Sequence, residues 1–182
     1  MPPPRRRIHI TGPSGAGTTT LGAALAPALG AAHLDTDAYY WEATDPPFTT
    51  PRPAAERLRR IESELHGRDA WVISGSLMGW GDALTPRFDL VIFLYVPPVL
   101  RLERLRARER SRYGAGIEPG GRMHEASRAF LDWARSYEDP SFRGRSLALH
   151  RAWLASLPCP VLSIEDAPPL EESLRRALAA AG

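Results

Sequence analysis

The chain contains no lysine: all 23 of its basic residues are arginine. With its many alanines, prolines and glycines, this points to a GC-rich coding bias, under which a lysine position drifts most simply to arginine. Cysteine is nearly as scarce. A single Cys159 excludes an internal disulfide and any multi-cysteine metal site. It stands before a strand-like run and is expected to be a buried, inert thiol. No run approaches the ~18 apolar residues of a membrane span. The basic start MPPPRRR is followed by no apolar stretch, as a signal peptide would require. A soluble cytoplasmic protein with no membrane partner is therefore expected. An excess of one charge is missing too. With 23 basic against 21 acidic residues the formal charge is +2, too small to imply a nucleic-acid partner.

What is present is an ordinary globular composition, 43% hydrophobic and 24% charged over 182 residues, which suits one domain, 1–182. RRIHITG reads as a short strand ending in a glycine turn. TTTLGAALAPALG carries Leu21, Leu25 and Leu29 on a helical stripe, with Pro27 inside it and Gly30 as its stop. AHLDTD is a brief strand ending in carboxylates. Ala54, Leu58, Ile61 and Leu65 share one face of an amphipathic helix. AWVISG and the continuous apolar run DLVIFLYV read as buried strands. Arginine-laden, aromatic-striped and shorter helices follow, then a fifth strand, PVLSIE, and a closing helix. Five strands alternating with helices give an α/β fold, a parallel sheet flanked by helices on both faces. Ligands of such sheets bind outside the carboxyl ends of the strands.

The stretch GPSGAGTTT joins the first strand to the first helix. Gly12, Gly15 and Gly17, with Pro13, Ser14 and Ala16 between them, let backbone N–H groups turn inward around a phosphate. The helix opened by Thr18, Thr19 and Thr20 adds its positive end. Thr19 stands where a hydroxyl meets Mg²⁺, but Thr18 occupies the position at which such a loop carries lysine. Coding bias would have left arginine there, so threonine is not bias alone.

Other candidates follow. Asp35 and Asp37 end the second strand beside the loop, where carboxylates orient metal-bound water or accept a proton; a helix cap is the competing reading. Tyr39, Tyr40 and Trp41 either wall an acceptor pocket or belong to the core. Gly75 admits close approach of a substrate to the backbone, with Ser76 beside it. Trp80, between two glycines, is either a pocket wall or core. Arg101, Arg104, Arg108 and Arg112, spaced 3, 4 and 4, share one helical face. Asp89 begins its strand and is expected to be structural. His9 and His150 are expected to be satisfied structural histidines, and His33 and His124 exposed ones.

The loop, with the order of elements, resembles the P-loop kinases of the nucleoside-monophosphate-kinase type: adenylate, cytidylate and shikimate kinases and their relatives. Some of them, notably archaeal cytidylate kinases, carry a Gly-Thr-Thr-Thr loop like residues 17–20 here. The resemblance implies an adenylate-kinase-like P-loop fold with a small helical lid, approximately 104–145. It implies ATP and Mg²⁺ as cofactors, a small-molecule acceptor and a monomer or homodimer. The γ-phosphate would pass to a nucleoside monophosphate or another small molecule. Asp37 would meet the acceptor, Asp35 and Thr19 would serve the metal, and Arg112, Tyr40, Trp41, Gly75, Ser76 and Trp80 would line the acceptor side. A lid arginine, Arg104 or Arg108 first and Arg143 or Arg145 second, would supply the charge that Thr18 lacks. The chain departs from the pattern again at Ser74-Gly75, where relatives often carry Asp-Gly; Asp82 or Asp35 is the candidate replacement. A nucleotide-binding module, or a slow NTPase without acceptor activity, is the alternative.

Overall fold

In the computed structural model, residues 6–182 are described. Most of the basic start, and with it the expectation that it is no signal peptide, lies outside them. The five strands are β1 (Arg7–Thr11), β2 (Ala32–Asp35), β3 (Trp71–Ser74), β4 (Leu90–Leu94) and β5 (Val161–Ile164), in the spatial order β2-β3-β1-β4-β5, each pair parallel. β1 is central, so the loop that follows it is flanked on both sides by the ends of neighbouring strands.

Strand periodicity divides the core in two. Ile8, Ile10, Val72, Leu90 and Ile92 face one side. They pack there under α1 (Thr18–Ala28) and α7 (Leu170–Ala181), with Leu21, Leu25, Ala177 and Ala181. Trp71, Ile73 and Val91 face the other side. There α3 (Ala54–Leu65) contributes Ile61 and Leu65, and α6 (Leu147–Ala155) adds Trp153 and Leu154. Pro27 sits in the last turn of α1 without breaking it, and Gly30 follows at φ 62°. Outside the two main clusters, α4 (Pro98–Tyr113) packs on α5 (His124–Arg135) through Leu102, Leu105 and Ala134. Among the described residues no helix is long and apolar enough to cross a membrane.

Four expectations need amendment. Cys159 is half-buried against the second cluster rather than fully buried. His33 and His124 are half-buried and hydrogen-bonded rather than exposed: His33 Nε2 lies 2.9 Å from Ser74 Oγ, and His124 Nδ1 lies 2.8 Å from the Ile117 carbonyl. Arg101 is fully buried, although its spacing had placed it on the same face as its solvent-reaching neighbours. The remaining structural readings agree. Asp89 accepts N–H bonds from Arg6 and Arg7 at the strand start. His9 lies stacked on Phe88, and His150 is buried with its Nδ1 2.6 Å from the Tyr137 hydroxyl.

Candidate active site

The carboxyl ends of β1, β2 and β3 open into one cleft of about 1190 Å³. Its first wall is the glycine loop. A side chain at Gly12 would overlap the Leu94 carbonyl, so glycine lets the loop pass against the end of β4. Gly17 stands at φ 94° with open space where a side chain would be. It starts α1, whose N-terminus no side chain caps. The orphan N–H groups of that first turn are thus left for a ligand. Thr19 and Thr20 are exposed and Thr18 half-buried.

The second wall begins at β2. Asp35 accepts the N–H of Asp37 at 2.9 Å and caps α2 (Thr36–Tyr40). The capping reading therefore holds for Asp35, and the same residue lines the cleft. Asp37 is exposed toward the cleft, yet the walls around it desolvate its carboxyl. That desolvation raises its pKa above the ordinary carboxylate value, and the Asp35 charge raises it further, against the opposing pull of Arg108, Arg112 and Arg145. Between the two acids, Thr36 is buried, and its Oγ1 accepts the Ser76 N–H at 3.1 Å. Gly75, at φ 111°, closes so tightly on Thr36 that any side chain would overlap the hydroxyl. Trp80 serves both candidate roles: it is buried in the second core cluster and lines the cleft, donating its indole N–H to the Ser76 carbonyl at 2.9 Å. Tyr40 and Trp41 also line the cleft, whereas Tyr39 packs only into the core.

Ser74 is fully buried against His33 and does not reach the cleft, and neither does Asp82. Asp35 is therefore the candidate of the two for the carboxylate that Ser74 does not supply.

The third wall is arginine and aromatic. Arg104, Arg108 and Arg112 from α4, and Arg145 from the loop before α6, line the cleft; Arg143 does not. Arg104 is exposed and donates to the Gly15 carbonyl at 3.4 Å. Arg108 lies over the Phe130 ring at 5.7 Å, and Arg112 over Phe48 at 4.1 Å. Arg145 donates to Ser14 Oγ at 2.8 Å and lies 5.1 Å over Trp133. The Nε–H groups of both Arg108 and Arg145 are buried without a hydrogen-bond partner among the described residues. Such donors cost about 1–3 kcal/mol each unless something satisfies them. Arg101 supports the loop from behind. It donates to the Ser14 carbonyl at 3.3 Å and forms a two-pronged ion pair with Glu138 at 2.7 and 2.9 Å.

The donor set fits a nucleoside triphosphate: an uncapped helix end, glycines with no side chain in the way, exposed hydroxyls and buried, under-satisfied guanidiniums. Among the described residues no cluster of three or more His, Cys, Asp or Glu could hold a metal by itself.

Thr36 and Arg52 were not foreseen from the sequence, and Arg101 was placed on the arginine face but not as a support of the loop. Arg52 is buried and donates to the Tyr39 carbonyl at 2.6 Å, tying down the end of α2. Each of these roles is defined by contacts made across the fold, which no local spacing encodes.

Compared with known proteins, the chain matches the family described as AAA domain over residues 8–128. It is 48% identical over 174 residues to the protein YqaC of Bacillus subtilis (strain 168), covering 96% of each. It is 35% identical over 113 residues to a shikimate kinase of Halorhodospira halophila (strain DSM 244 / SL1), covering 55% of this chain and 62% of that one. Among solved structures it is similar to a gluconokinase from Sinorhizobium meliloti 1021, with a TM-score of 0.55 and 20% identity over 97% of this chain and 91% of that one.

Proposed function

The chain belongs to the AAA-domain family and carries the fold of P-loop small-molecule kinases, and on that premise we propose that it is a cytoplasmic, Mg-ATP-dependent phosphotransferase acting on a small acceptor. The observation that carries this reading is the meeting, in one cleft, of the uncapped glycine loop with Asp37 and the guanidiniums around it. A loop alone would bind nucleotide. A desolvated carboxylate across the cleft gives an acceptor hydroxyl something to meet.

Phosphoryl transfer asks the protein for position and charge more than for covalent chemistry. When bound, Mg-ATP supplies the transferable phosphoryl group. The backbone of residues 12–20 would hold the phosphates. Thr19 and Asp35 would serve the metal, which takes few protein ligands and relies on phosphate oxygens for others. Asp37 orients the acceptor hydroxyl and takes its proton, and its raised pKa brings it closer to neutral pH, where a general base works best. Arg104 and Arg108 neutralise the charge spread over the transferring group.

For the acceptor, a nucleoside monophosphate is the reading that the cleft supports best. Arg112 and its neighbours suit a phosphate, and Tyr40, Trp41 and Trp80 suit a base. A small hydroxy acid is the second class, in keeping with the names of the shikimate kinase and gluconokinase that the chain resembles. One observation favours the alternative of a nucleotide-binding module or slow NTPase: β3 ends in a buried serine and offers the cleft no carboxylate. The test is ADP release from Mg-ATP in the presence of a panel of nucleoside monophosphates and hydroxy acids. Acceptor-dependent ADP is expected. Binding without turnover, or slow ADP formation indifferent to every acceptor, would replace the kinase reading with the alternative.

A further inference from the structure

We propose that Arg145 holds the β- and γ-phosphates in place of the lysine missing at Thr18, a charge that enters the loop from the far side of the cleft instead of from α1. This rests on the reading of the cleft as a nucleotide site. Five guanidiniums approach the loop or line the cleft in front of it; Arg112 lies over Phe48 with no hydrogen bond to the loop among the described residues, and the other four differ in their surroundings. Arg101 touches the loop, but its charge is matched by the two-pronged contact with Glu138. Arg104 touches the loop from solvent, by one 3.4 Å contact to a carbonyl. Arg108 shares with Arg145 an enclosed Nε–H without a partner, a place over an aromatic ring and the nearby charge of Asp37, but among the described residues no hydrogen bond joins it to the loop. Arg145 touches the loop through a 2.8 Å bond to the hydroxyl of Ser14 and forms no ion pair among the described residues. Its guanidinium lies over Trp133, and its Nε–H is enclosed without a partner.

That combination is what a phosphate ligand requires: a permanent cation, fixed on the loop, with donor capacity left over. The planar guanidinium fork offers parallel N–H groups to phosphate oxygens. Ser14 Oγ is a neutral acceptor, so a phosphate anion competes for the same guanidinium with a stronger, charge-assisted bond. Thr18, whose side chain is short and uncharged, has no equivalent reach. The sequence separation of 131 residues between Ser14 and Arg145 is why no local motif announces the arrangement.

The test is calorimetric binding of Mg-AMP-PNP and Mg-ADP, which needs neither turnover nor a known acceptor. In Arg145→Gln, affinity for Mg-AMP-PNP is expected to fall about tenfold or more, and affinity for Mg-ADP, which presents the β-phosphate alone, to fall by a smaller factor of about threefold. Thr18→Lys introduced into Arg145→Gln is expected to recover most of that loss. Arg145→Lys, which keeps the charge but not the fork, should fall between the two and stands in if the glutamine variant does not fold. Arg143→Gln, outside the cleft, should leave both affinities unchanged. An Arg145 variant that melts like the wild type and loses neither ligand, loses both equally, or gains nothing from Thr18→Lys overturns the assignment while leaving the kinase reading standing. A wild-type protein that binds neither nucleotide overturns both.

Discussion

In the proposed reaction Asp37 would serve an acceptor hydroxyl only when ionised, and its raised pKa bears on where that requirement shows. Activity should fall as pH drops through a carboxyl pKa that lies higher than that of a free aspartate. Arg108 favours the ionised form, so Arg108→Ala is expected to move the acid limb of kcat/KM to higher pH. Asp35 disfavours it, so Asp35→Asn should move the limb lower. A pH profile of the three proteins checks both signs. Asp37→Asn should cut turnover by about 10²–10⁴-fold while leaving nucleotide affinity nearly unchanged; equal losses in both would make Asp37 a binding group. At this scale the sequence was legible where the chemistry is local. A phosphate loop needs glycines at fixed spacing and a hydroxyl after them, and residues 12–20 show that pattern directly. It was not legible where a residue's meaning comes from distant partners. Arg101 and Arg104 look alike in sequence, yet one is buried on Glu138 and the other reaches solvent.

The elements show the same division. The aromatic-striped helix of the sequence is α5, and with the residues flanking it on either side it places Met123, Ala126, Phe130 and Trp133 on the cleft and buries Tyr137. The five-residue helix α2 could not be read, because so short a helix forms only under tertiary support, here the Asp35 cap and the grip of Arg52 on its last carbonyls. The Arg101–Glu138 pair ties the start of α4 to the end of the α5 segment and to the loop. Arg101→Met, which strands the Glu138 carboxylate, is expected to lower unfolding free energy by about 3 kcal/mol. Arg135→Met breaks only the exposed pair with Asp132 and should cost under about 0.5 kcal/mol. Denaturant unfolding of the two variants measures the contrast, and similar costs would deny Arg101 its anchoring role.

For the molecule as a whole, strand number and parallel direction followed from the alternation of elements, but strand order did not, because it depends on which crossover packs where. The core that results buries two neutral histidines. Desolvation holds His9 at about 4 and His150 at about 3, against an ordinary value of 6.5. Below pH 6.5 the unfolded chain therefore takes up protons that the folded one refuses, and stability falls as pH drops toward 4, by up to about 1.4 kcal/mol per pH unit for each histidine. Thermal melts from pH 7 to 4.5 should show this slope, and His150→Phe should flatten it whatever its effect on the melting temperature at neutral pH. The same core sets the glycine loop at the centre of the sheet, between the carboxylates and the arginines, and the proposed chemistry depends on that placement. Its most direct measurement is a crystal structure with Mg-AMP-PNP. The triphosphate is expected to be wrapped by the N–H groups of residues 12–20, with its terminal phosphate facing Asp37. A triphosphate bound elsewhere in the molecule, with the loop closed on its own side chains, would contradict it.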